Sequence, residues 1–394
     1  MQLAFALFHY FPYGGLERDM LAIARTCVAR GHDVTIYTGS WQGDKPDAIN
    51  VIELGTQGLT NHARDASFAQ RLQQVVSQQT ENSERARNKN LHVIGFNKMP
   101  GLDVYYAADV CFAQKALHER NFFYRLTARC RHFLRMERAV FGVDSHTQVL
   151  MISQPQFAVY QQHWHTQSER LHLLPPGIRC ERVMPTDYAQ QRPALRAQYN
   201  LRDDDYLLLM VGSDFRRKGL DRAIRGLAAL SEDMRKRCQL WIAGQDKEAS
   251  FRQLALTLGV SDRVKILGGR DDVSQLLWAA DILLHPAYSE NTGTVLLEGM
   301  VAGLPVIATA VCGYAHYIKE QQMGEVLADP VTPVNMASAI EHVLRVEPSL
   351  WRQRAQKFVA TADIFSMPER AAQVIENKCT ENTRIENKSI ENHL

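Results

Sequence analysis

The sequence lacks the features that mark several protein classes. Its seven cysteines are scattered and never spaced as Cys-x-x-Cys, which argues against a disulfide framework or zinc site and favours reduced thiols. No uninterrupted apolar stretch reaches the roughly 18 residues that span a bilayer. The apolar start at residues 1–8 lacks the basic residues and cleavage site of a signal peptide. These absences predict an intracellular protein.

The balanced charge and the missing motifs exclude further classes of ligand. With 45 Lys and Arg against 43 Asp and Glu, the net charge of +2 is too balanced for a protein that coats nucleic acid. The dinucleotide fingerprint Gly-x-Gly-x-x-Gly does not occur, and no Asp-x-Asp follows a strand; Asp203–Asp205 is a polar turn before one. The histidines show no metal-ligand spacing. We therefore expect neither a metal nor a cofactor.

The 394 residues, 45% of them apolar, alternate short apolar runs with helical patterns. Such alternation indicates βαβ units and parallel sheets. The runs fall into two sets, at 3–8, 33–37 and 91–95, and at 206–211, 240–243, 264–266, 282–285 and 306–308. The stiff turn Leu174-Pro-Pro-Gly-Ile178 lies between the sets. The pattern predicts an α/β chain of two doubly wound, Rossmann-like domains facing each other across a cleft.

The predicted boundaries place the first domain at residues 1–172 and the second at 173–350. A terminal helix at 351–376 is expected to cross back to the first domain. Residues 81–90 are polar and predict a surface loop, and residues 377–394 repeat Glu-Asn every five positions. Because such a low-complexity repeat cannot bury a core, we expect this tail to be disordered.

Three segments could bind an anionic ligand at strand ends. Gly14 and Gly15 follow the first strand and could present backbone N–H groups, although an ordinary strand–helix turn explains them as well. Arg217 and Lys218 follow the first strand of the second domain, where cations suit a diphosphate; the alternative is a solvated basic turn.

The third segment runs from His285-Pro-Ala to Glu298 and contains two glutamates. Glu290 precedes a predicted apolar helix and Glu298 lies within it, two turns later, so both can face one crevice with a helix N-terminus between them. The alternative is that Glu290 only caps the helix and Glu298 is solvated. The apolar run at 295–297 argues against a solvated Glu298.

Together these motifs resemble the retaining GT-B glycosyltransferases of family 4, and most closely the lipopolysaccharide core (heptosyl) alpha-1,3-glucosyltransferases. The stretch most specific to these glucosyltransferases is Phe-Asn-Lys-Met-Pro-Gly-Leu-Asp at 96–103. Further matching stretches are 10–19, 60–64, 104–105, 107–109, 174–178, 244–247 and 310–317. The resemblance implies a UDP-sugar donor, most closely UDP-glucose, and a lipid A-linked inner-core heptose as acceptor.

The resemblance also implies residue roles. Arg217 and Lys218 would neutralise the diphosphate, and Glu298 would hold the ribose hydroxyls. Glu290, with the backbone around Thr292, Gly293 and Thr294, would bind the sugar hydroxyls. The remaining implied residues are Arg270 beside the uracil, Gly15 and Asp19 approaching the donor from the first domain, Arg182 near the reaction centre, and Asp109 as the acceptor-side carboxylate. The candidate catalytic residues are thus Asp109, Arg217, Lys218 and Glu290. Asn291 and Thr292 stand where the family carries two small apolar residues.

Residues 113–141 are the basic part of the chain. They carry seven Lys or Arg against two Glu, with aromatics interleaved, although the whole chain has a net charge of only +2. This pattern is typical of a protein lying on an anionic bilayer, and the resemblance points the same way. The alternatives are an amphipathic core helix with a solvated basic face and an RNA-binding patch. We expect peripheral attachment to the inner face of the cytoplasmic membrane.

The reaction expected from the resemblance is a metal-independent transfer with retention. A GT-B sugar-nucleotide epimerase shares the fold but needs no lipid acceptor. A non-catalytic lipid-surface binding protein would not need Arg217, Lys218, Glu290 and Glu298 together. No nucleic acid partner is expected.

Overall fold

The computed structural model describes the backbone of residues 1–12, 14–85 and 91–391; the side chains at 80–85 and 380–391 are not described. Tyr13 of the predicted glycine loop, residues 86–90 of the predicted surface loop and residues 392–394 of the tail lie outside these ranges. The chain forms two compact units, residues 1–177 with 366–394, and residues 178–365.

The first unit is built on a seven-stranded sheet of order β3-β2-β1-β4-β5-β6-β7. Its paired strands all run parallel. The strands are β1 Gln2–Leu7, β2 Asp33–Thr38, β3 Asn50–Glu53, β4 Leu91–Gly95, β5 Val104–Ala107, β6 Gln148–Met151 and β7 Leu171–Leu173. The helices before β7 are α1 Gly15–Ala29, α2 Asn61–Arg85, α3 Phe112–Gln114, α4 Phe122–Arg125, α5 Ala128–Phe141 and α6 Pro155–Trp164, with a π-helical turn at Lys115–Glu119.

Strand β1 shows why this sheet is buried on both faces. Leu3, Phe5 and Leu7 belong to one apolar cluster, whereas Ala4 and Ala6 belong to another. Because successive side chains of a strand point to opposite faces, β1 contributes to a core on each side of the sheet. A continuous apolar run is the expected sequence of such a central parallel strand.

The second unit has a six-stranded parallel sheet of order β10-β9-β8-β11-β12-β13. Its strands are β8 Tyr206–Val211, β9 Cys238–Ala243, β10 Val264–Gly268, β11 Ile282–His285, β12 Val306–Thr309 and β13 Gly324–Leu327. Its helices are α7 Tyr188–Gln198, α8 Leu220–Ala228, α9 Glu232–Arg237, α10 Ala249–Thr257, α11 Val273–Ala279, α12 Thr294–Val301, α13 Ala315–Glu320, α14 Pro333–Arg345 and α15 Pro348–Thr361. The predicted α/β class with two parallel sheets is confirmed.

The predicted domain boundaries need two corrections. The first unit ends at Gly177, not at residue 172, because β7 reaches Leu173 and Leu174 packs into the core of that unit. Residues 351–365 do not cross back. Helix α15 belongs to the second unit, where Trp351, Ala355 and Phe358 are buried in its core.

The chain returns to the first unit through one last helix, α16 Met367–Glu391. Ala371, Ala372, Ile375 and Cys379 of this helix are fully buried in the same cluster as β1. The predicted disorder is wrong for 377–391, and the predicted loop is wrong for 81–85, which end α2. Both stretches lack Gly and Pro, so backbone propensity does not oppose a helix there.

No helix among the described residues is both long enough and apolar enough to cross a membrane.

Packing of α16 should be essential to the first unit. Ile375 is 0% exposed, so Ile375→Ala should lower the free energy of unfolding by about 2–5 kcal/mol through lost transfer energy and a cavity. Urea unfolding followed by circular dichroism measures this. Gln373→Ala, at an exposed position of the same helix, is the matched control and should change stability little. Equal stability of the two variants would contradict the packing described here.

Candidate active site

The turn after β8 packs against the segment that follows the neighbouring strand β11. Gly219 ends this turn with φ +77°, and a Cβ there would lie 2.0 Å from the carbonyl oxygen of Pro286. The backbone N–H of Tyr288 donates to the carbonyl of Arg217 at 2.8 Å. Because only glycine permits this approach, the sequence brings the basic turn and the Glu290 segment together at one sheet edge.

Glu290 collects donors from both segments on one carboxylate oxygen. Its Oε2 lies 3.1 Å from Arg217 Nη1, 3.2 Å from Lys218 Nζ and 3.3 Å from His285 Nε2. Its Oε1 accepts the backbone N–H of Asn291 at 3.2 Å. The predicted trio Arg217, Lys218 and Glu290 is therefore brought together, although 72 residues separate Lys218 from Glu290 in the chain.

The charges in this cluster are strongly coupled. Burial alone would raise the pKa of Glu290, but the hydrogen bond from His285 and the charges of Lys218 and Arg217 hold that pKa far below its usual range. Burial, followed by the nearby Lys218 charge, lowers the pKa of His285. At neutral pH the cluster thus contains an ionised carboxylate, two cations and a neutral imidazole whose Nε2 donates to the carboxylate.

Helix α12 carries the second glutamate inward. It begins after Gly293, whose φ of +80° turns the chain into the helix, and residues 295–301 are all buried. Glu298 is 4% exposed and its Oε1 lies 3.6 Å from Arg182 Nε. Arg182 also donates from Nη1 to Ser274 Oγ at 2.8 Å. The alternative that Glu298 is a solvated surface residue is therefore wrong.

Other predicted residues occupy the edges of this constellation. Thr292 is 7% exposed and its carbonyl accepts the backbone N–H of Tyr314 at 2.8 Å. Thr294 is the first residue of α12. Arg270 pairs with Asp272 rather than with any predicted site residue, its Nη2 lying 2.5 Å from Asp272 Oδ2.

Gly15, Asp19 and Asp109 lie in the first unit. Gly15 is the first residue of α1, and Asp19 accepts a hydrogen bond from Tyr106 at 2.8 Å between the hydroxyl and Oδ2. Asp109 follows β5 and is exposed.

In the part of the chain that the structure describes, no three His, Cys, Asp or Glu side chains lie close enough together to hold a metal ion. Metal independence stays a prediction.

Comparison with known proteins decides the family. Residues 191–362 match the family model described as glycosyl transferases group 1. The lipopolysaccharide glucosyltransferase WaaG of Escherichia coli K12 is 44% identical over 377 residues, covering 95% of this chain and 98% of that protein. This chain is a group 1 glycosyltransferase. The resemblance to the lipopolysaccharide core glucosyltransferases stated above is confirmed.

Solved structures agree with this family and with the GT-B fold. The crystal structure of WaaG, a glycosyltransferase involved in lipopolysaccharide biosynthesis, matches with a TM-score of 0.87, covering 95% of this chain and 99% of that one. Anabaena HepE in complex with UDP-glucose matches at 18% identity with a TM-score of 0.67, covering 96% of this chain and all of that one. At that identity the likeness to HepE shows the fold alone.

The sequence motifs did not single out every residue of the cluster around Glu290. His285 stands in the His-Pro-Ala motif, yet its contact with Glu290 depends on where β11 ends. Asp214 Oδ2 accepts a hydrogen bond from Arg217 Nε at 2.7 Å. Its position in the same turn as Arg217, two residues after Gly212, could have indicated this contact.

Glu17 is a further acidic residue of the glycosyltransferase that the motifs did not single out. It is 6% exposed in the first turn of α1, and a Cβ on Gly14 would lie 1.7 Å from its Oε2. Burial raises the pKa of Glu17 to about 7; a hydrogen bond from its own backbone N–H opposes this rise and the charge of Asp19 adds to it. The glycine at position 14 thus leaves room for a buried carboxyl that titrates near neutrality.

This pKa predicts how stability depends on pH. In the unfolded chain Glu17 ionises near its ordinary pKa, but in the folded chain only near 7, so the free energy of unfolding should fall as pH rises between these values. Glu17→Gln should remove that fall and be more stable than the wild type by about 2 kcal/mol at roughly pH 8, with little difference near pH 5. Urea unfolding across this range measures it, with the exposed Glu369→Gln as control. A wild-type slope retained in Glu17→Gln would contradict the assignment.

Proposed function

We propose that this chain transfers glucose from UDP-glucose to an inner-core heptose of lipopolysaccharide, with retention of configuration and without a metal. The observation that carries the proposal is the Glu290 carboxylate bound by Arg217 and Lys218 beside the start of α12. The sequence identity to a lipopolysaccharide glucosyltransferase supports the same class of acceptor.

Arg217 and Lys218 would stabilise the departing diphosphate. Breaking the sugar–phosphate bond places negative charge on the leaving group, and fixed cations with helix N–H groups can balance it as a metal would elsewhere. Both cations already bind a carboxylate oxygen at 3.1–3.2 Å, so their side chains are oriented towards an anion. Glu298 of α12 is buried and paired with the buried Arg182, which suits recognition of the nucleoside.

The acceptor side would belong to Asp109, whereas Gly15 and Asp19 of α1 would approach the donor. No enzyme nucleophile is evident among the predicted residues, so retention would follow from attack on the same face as the departing diphosphate. In that step the acceptor hydroxyl bonds to the sugar carbon, the sugar–phosphate bond breaks, and the leaving phosphate takes the hydroxyl proton. Glu290 would hold the sugar hydroxyls during this exchange.

The transferred sugar is the part of the proposal most open to a direct test. Asn291 and Thr292 follow Glu290 in the loop assigned to the sugar, where small apolar residues were expected, and these polar side chains could bind a further substituent. Another UDP-hexose or an N-acetylhexosamine is therefore the second candidate donor. Incubating purified protein with a panel of UDP-sugars and a truncated inner-core acceptor, and reading product mass, discriminates between them.

The cationic pair gives the sharpest mechanistic prediction. Arg217→Ala and Lys218→Ala should each lower turnover about 100-fold, because each removes a preorganised donor from the developing charge. Arg216→Ala, at the exposed neighbouring position, is the matched control and should keep wild-type turnover. EDTA should leave turnover unchanged. Wild-type turnover in both variants, or loss of activity on chelation, would contradict this mechanism.

We also propose that residues 113–141, termed the basic–aromatic segment, attach the protein to the inner face of the cytoplasmic membrane. Phe122, Phe123 and Leu126 are 64%, 77% and 59% exposed, and α4 buries none of its residues. Arginines 120, 129, 131, 135 and 138 are exposed in the same segment. Helix α5 alone fits an amphipathic core helix, but the exposed aromatics before it do not, and they favour a lipid surface.

Binding to lipid can be tested on this segment. Phe122→Asp with Phe123→Asp should abolish sedimentation with anionic liposomes at low salt, because it removes apolar insertion and adds two repelled charges. Leu59→Asp, at a fully exposed apolar position of the same unit, is the control and should sediment like the wild type. Failure of the wild type to sediment would contradict the membrane proposal.

A further inference from the structure

Residues 109–113, which begin two positions beyond β5, are each held by a side chain from elsewhere in the first unit. The carbonyl of Asp109 accepts from the Tyr160 hydroxyl at 3.1 Å, and the carbonyl of Val110 accepts from Lys98 Nζ at 3.3 Å. The remaining three bonds involve backbone N–H groups: Cys111 donates to Gln156 Oε1 at 2.9 Å, Phe112 to Glu137 Oε2 at 2.7 Å, and Ala113 to Glu137 Oε1 at 2.9 Å. Residues 109–113, termed the acceptor turn, are therefore fixed at every position.

A buried ion pair lies beneath the acceptor turn. Glu137 is 0% exposed, and its Oε2 lies 2.5 Å from Lys98 Nζ. Trp164 Nε1 donates to Glu137 Oε1 at 2.9 Å, and the Cys111 thiol lies 3.3 Å from the same oxygen. The carboxylate thus has five donors, three of which come from the acceptor turn itself.

Such a pair is a poor device for stability alone. Removing two charges from water is costly, and apolar residues of the same size often stabilise a fold at least as well. A carboxylate can, however, bind two successive backbone N–H groups at once, which no apolar side chain can do. The Glu137 carboxylate therefore serves to fix the position of the backbone rather than to fill space in the core.

Asp109 is the one exposed residue of this otherwise buried or half-buried acceptor turn. It stands two residues beyond the carboxyl end of a parallel strand, where ligands of such sheets bind. We propose that Lys98, Glu137 and Tyr160 are positioning residues for glycosyl transfer, which hold the acceptor turn so that the Asp109 carboxylate meets the acceptor hydroxyl. This inference rests on the proposed function.

Tyr160→Phe isolates the positioning effect with the least damage to the fold. The Tyr160 ring stacks on Phe141 with centroids 3.6 Å apart, and phenylalanine keeps that stack while losing only the bond to the Asp109 carbonyl. We expect kcat to fall about 10-fold with KM for the UDP-sugar unchanged. Arg217 and Lys218, the cations assigned to the diphosphate of the UDP-sugar, lie in the second unit, so this substitution should not disturb them.

Tyr37→Phe is the matched control. The Tyr37 hydroxyl is buried in the same unit and is bonded to Gln79, at 3.0 Å from Nε2, so its loss should lower the melting temperature similarly without lowering kcat. Equal kcat values for Tyr160→Phe and Tyr37→Phe would overturn the proposal. Hydrogen exchange gives a second readout: amides 111–113 should exchange faster in Tyr160→Phe but not in Tyr37→Phe, and unchanged exchange would also overturn it.

A double-mutant cycle identifies Asp109 as the group that is positioned. In an Asp109→Asn background, Tyr160→Phe should lower kcat less than about 2-fold, because no carboxylate remains to be aligned. The same roughly 10-fold loss in both backgrounds would overturn the proposal. Lys98→Met combined with Glu137→Gln removes the buried pair without leaving an unpaired charge, and should show the same dependence on Asp109.

The two proposals fail in distinguishable ways. A wild-type chain that transfers no hexose from any UDP-sugar would overturn the proposed function, and the positioning role with it. An active wild type beside a Tyr160→Phe variant with unchanged kcat would overturn the positioning role alone.

Discussion

The polar cluster of the second unit depends on one carboxylate oxygen, Glu290 Oε2, which receives donors from Arg217, Lys218 and His285 within 3.3 Å. These donors come from the ends of two neighbouring strands, so the contact requires that β8 and β11 pair and that Gly219 admit the close approach. In return, the carboxylate orients two cations that would otherwise repel each other. The arrangement of the basic turn is therefore a property of the sheet edge and not of either motif alone.

The acceptor turn of the first unit follows a similar principle with different components. There, Glu137 binds backbone N–H groups of the turn and Lys98 binds a backbone carbonyl, so a buried ion pair fixes main-chain geometry. Catalysis by positioned groups depends on rigid support, since a carboxylate displaced by about 1 Å loses much of its effect. Buried polar side chains thus hold the backbone of the acceptor turn, whereas the basic turn of the second unit is held by the backbone N–H of Tyr288.

The sequence predicted those parts of the structure that depend on local pattern. Apolar runs identified β1 and β8 because strands buried on both faces are apolar throughout, whereas β3, with half-exposed residues, and the three-residue β7 gave no such signal. Arg217, Lys218 and Glu290 were predictable from their positions after strands. The role of Glu137 was not predictable, because it sits among arginines on α5 and its partners lie 24 to 39 residues away in the chain. The terminal helix that returns to the first unit was predicted, but its end was placed at residue 376, because the Glu-Asn repeat conceals the buried Cys379 that continues α16.

The charge balance around Glu290 bears on how a diphosphate could be both held and released. Arg217 and Lys218 face the carboxylates of Glu290 and Asp214, so the cluster is close to neutral before any ligand binds. Because burial keeps His285 neutral, it contributes a hydrogen bond and no third positive charge. A third cation would bind substrate and product diphosphate alike and so would not by itself lower the barrier. The neutral histidine is therefore consistent with a site that favours the transition state over tight retention of its product.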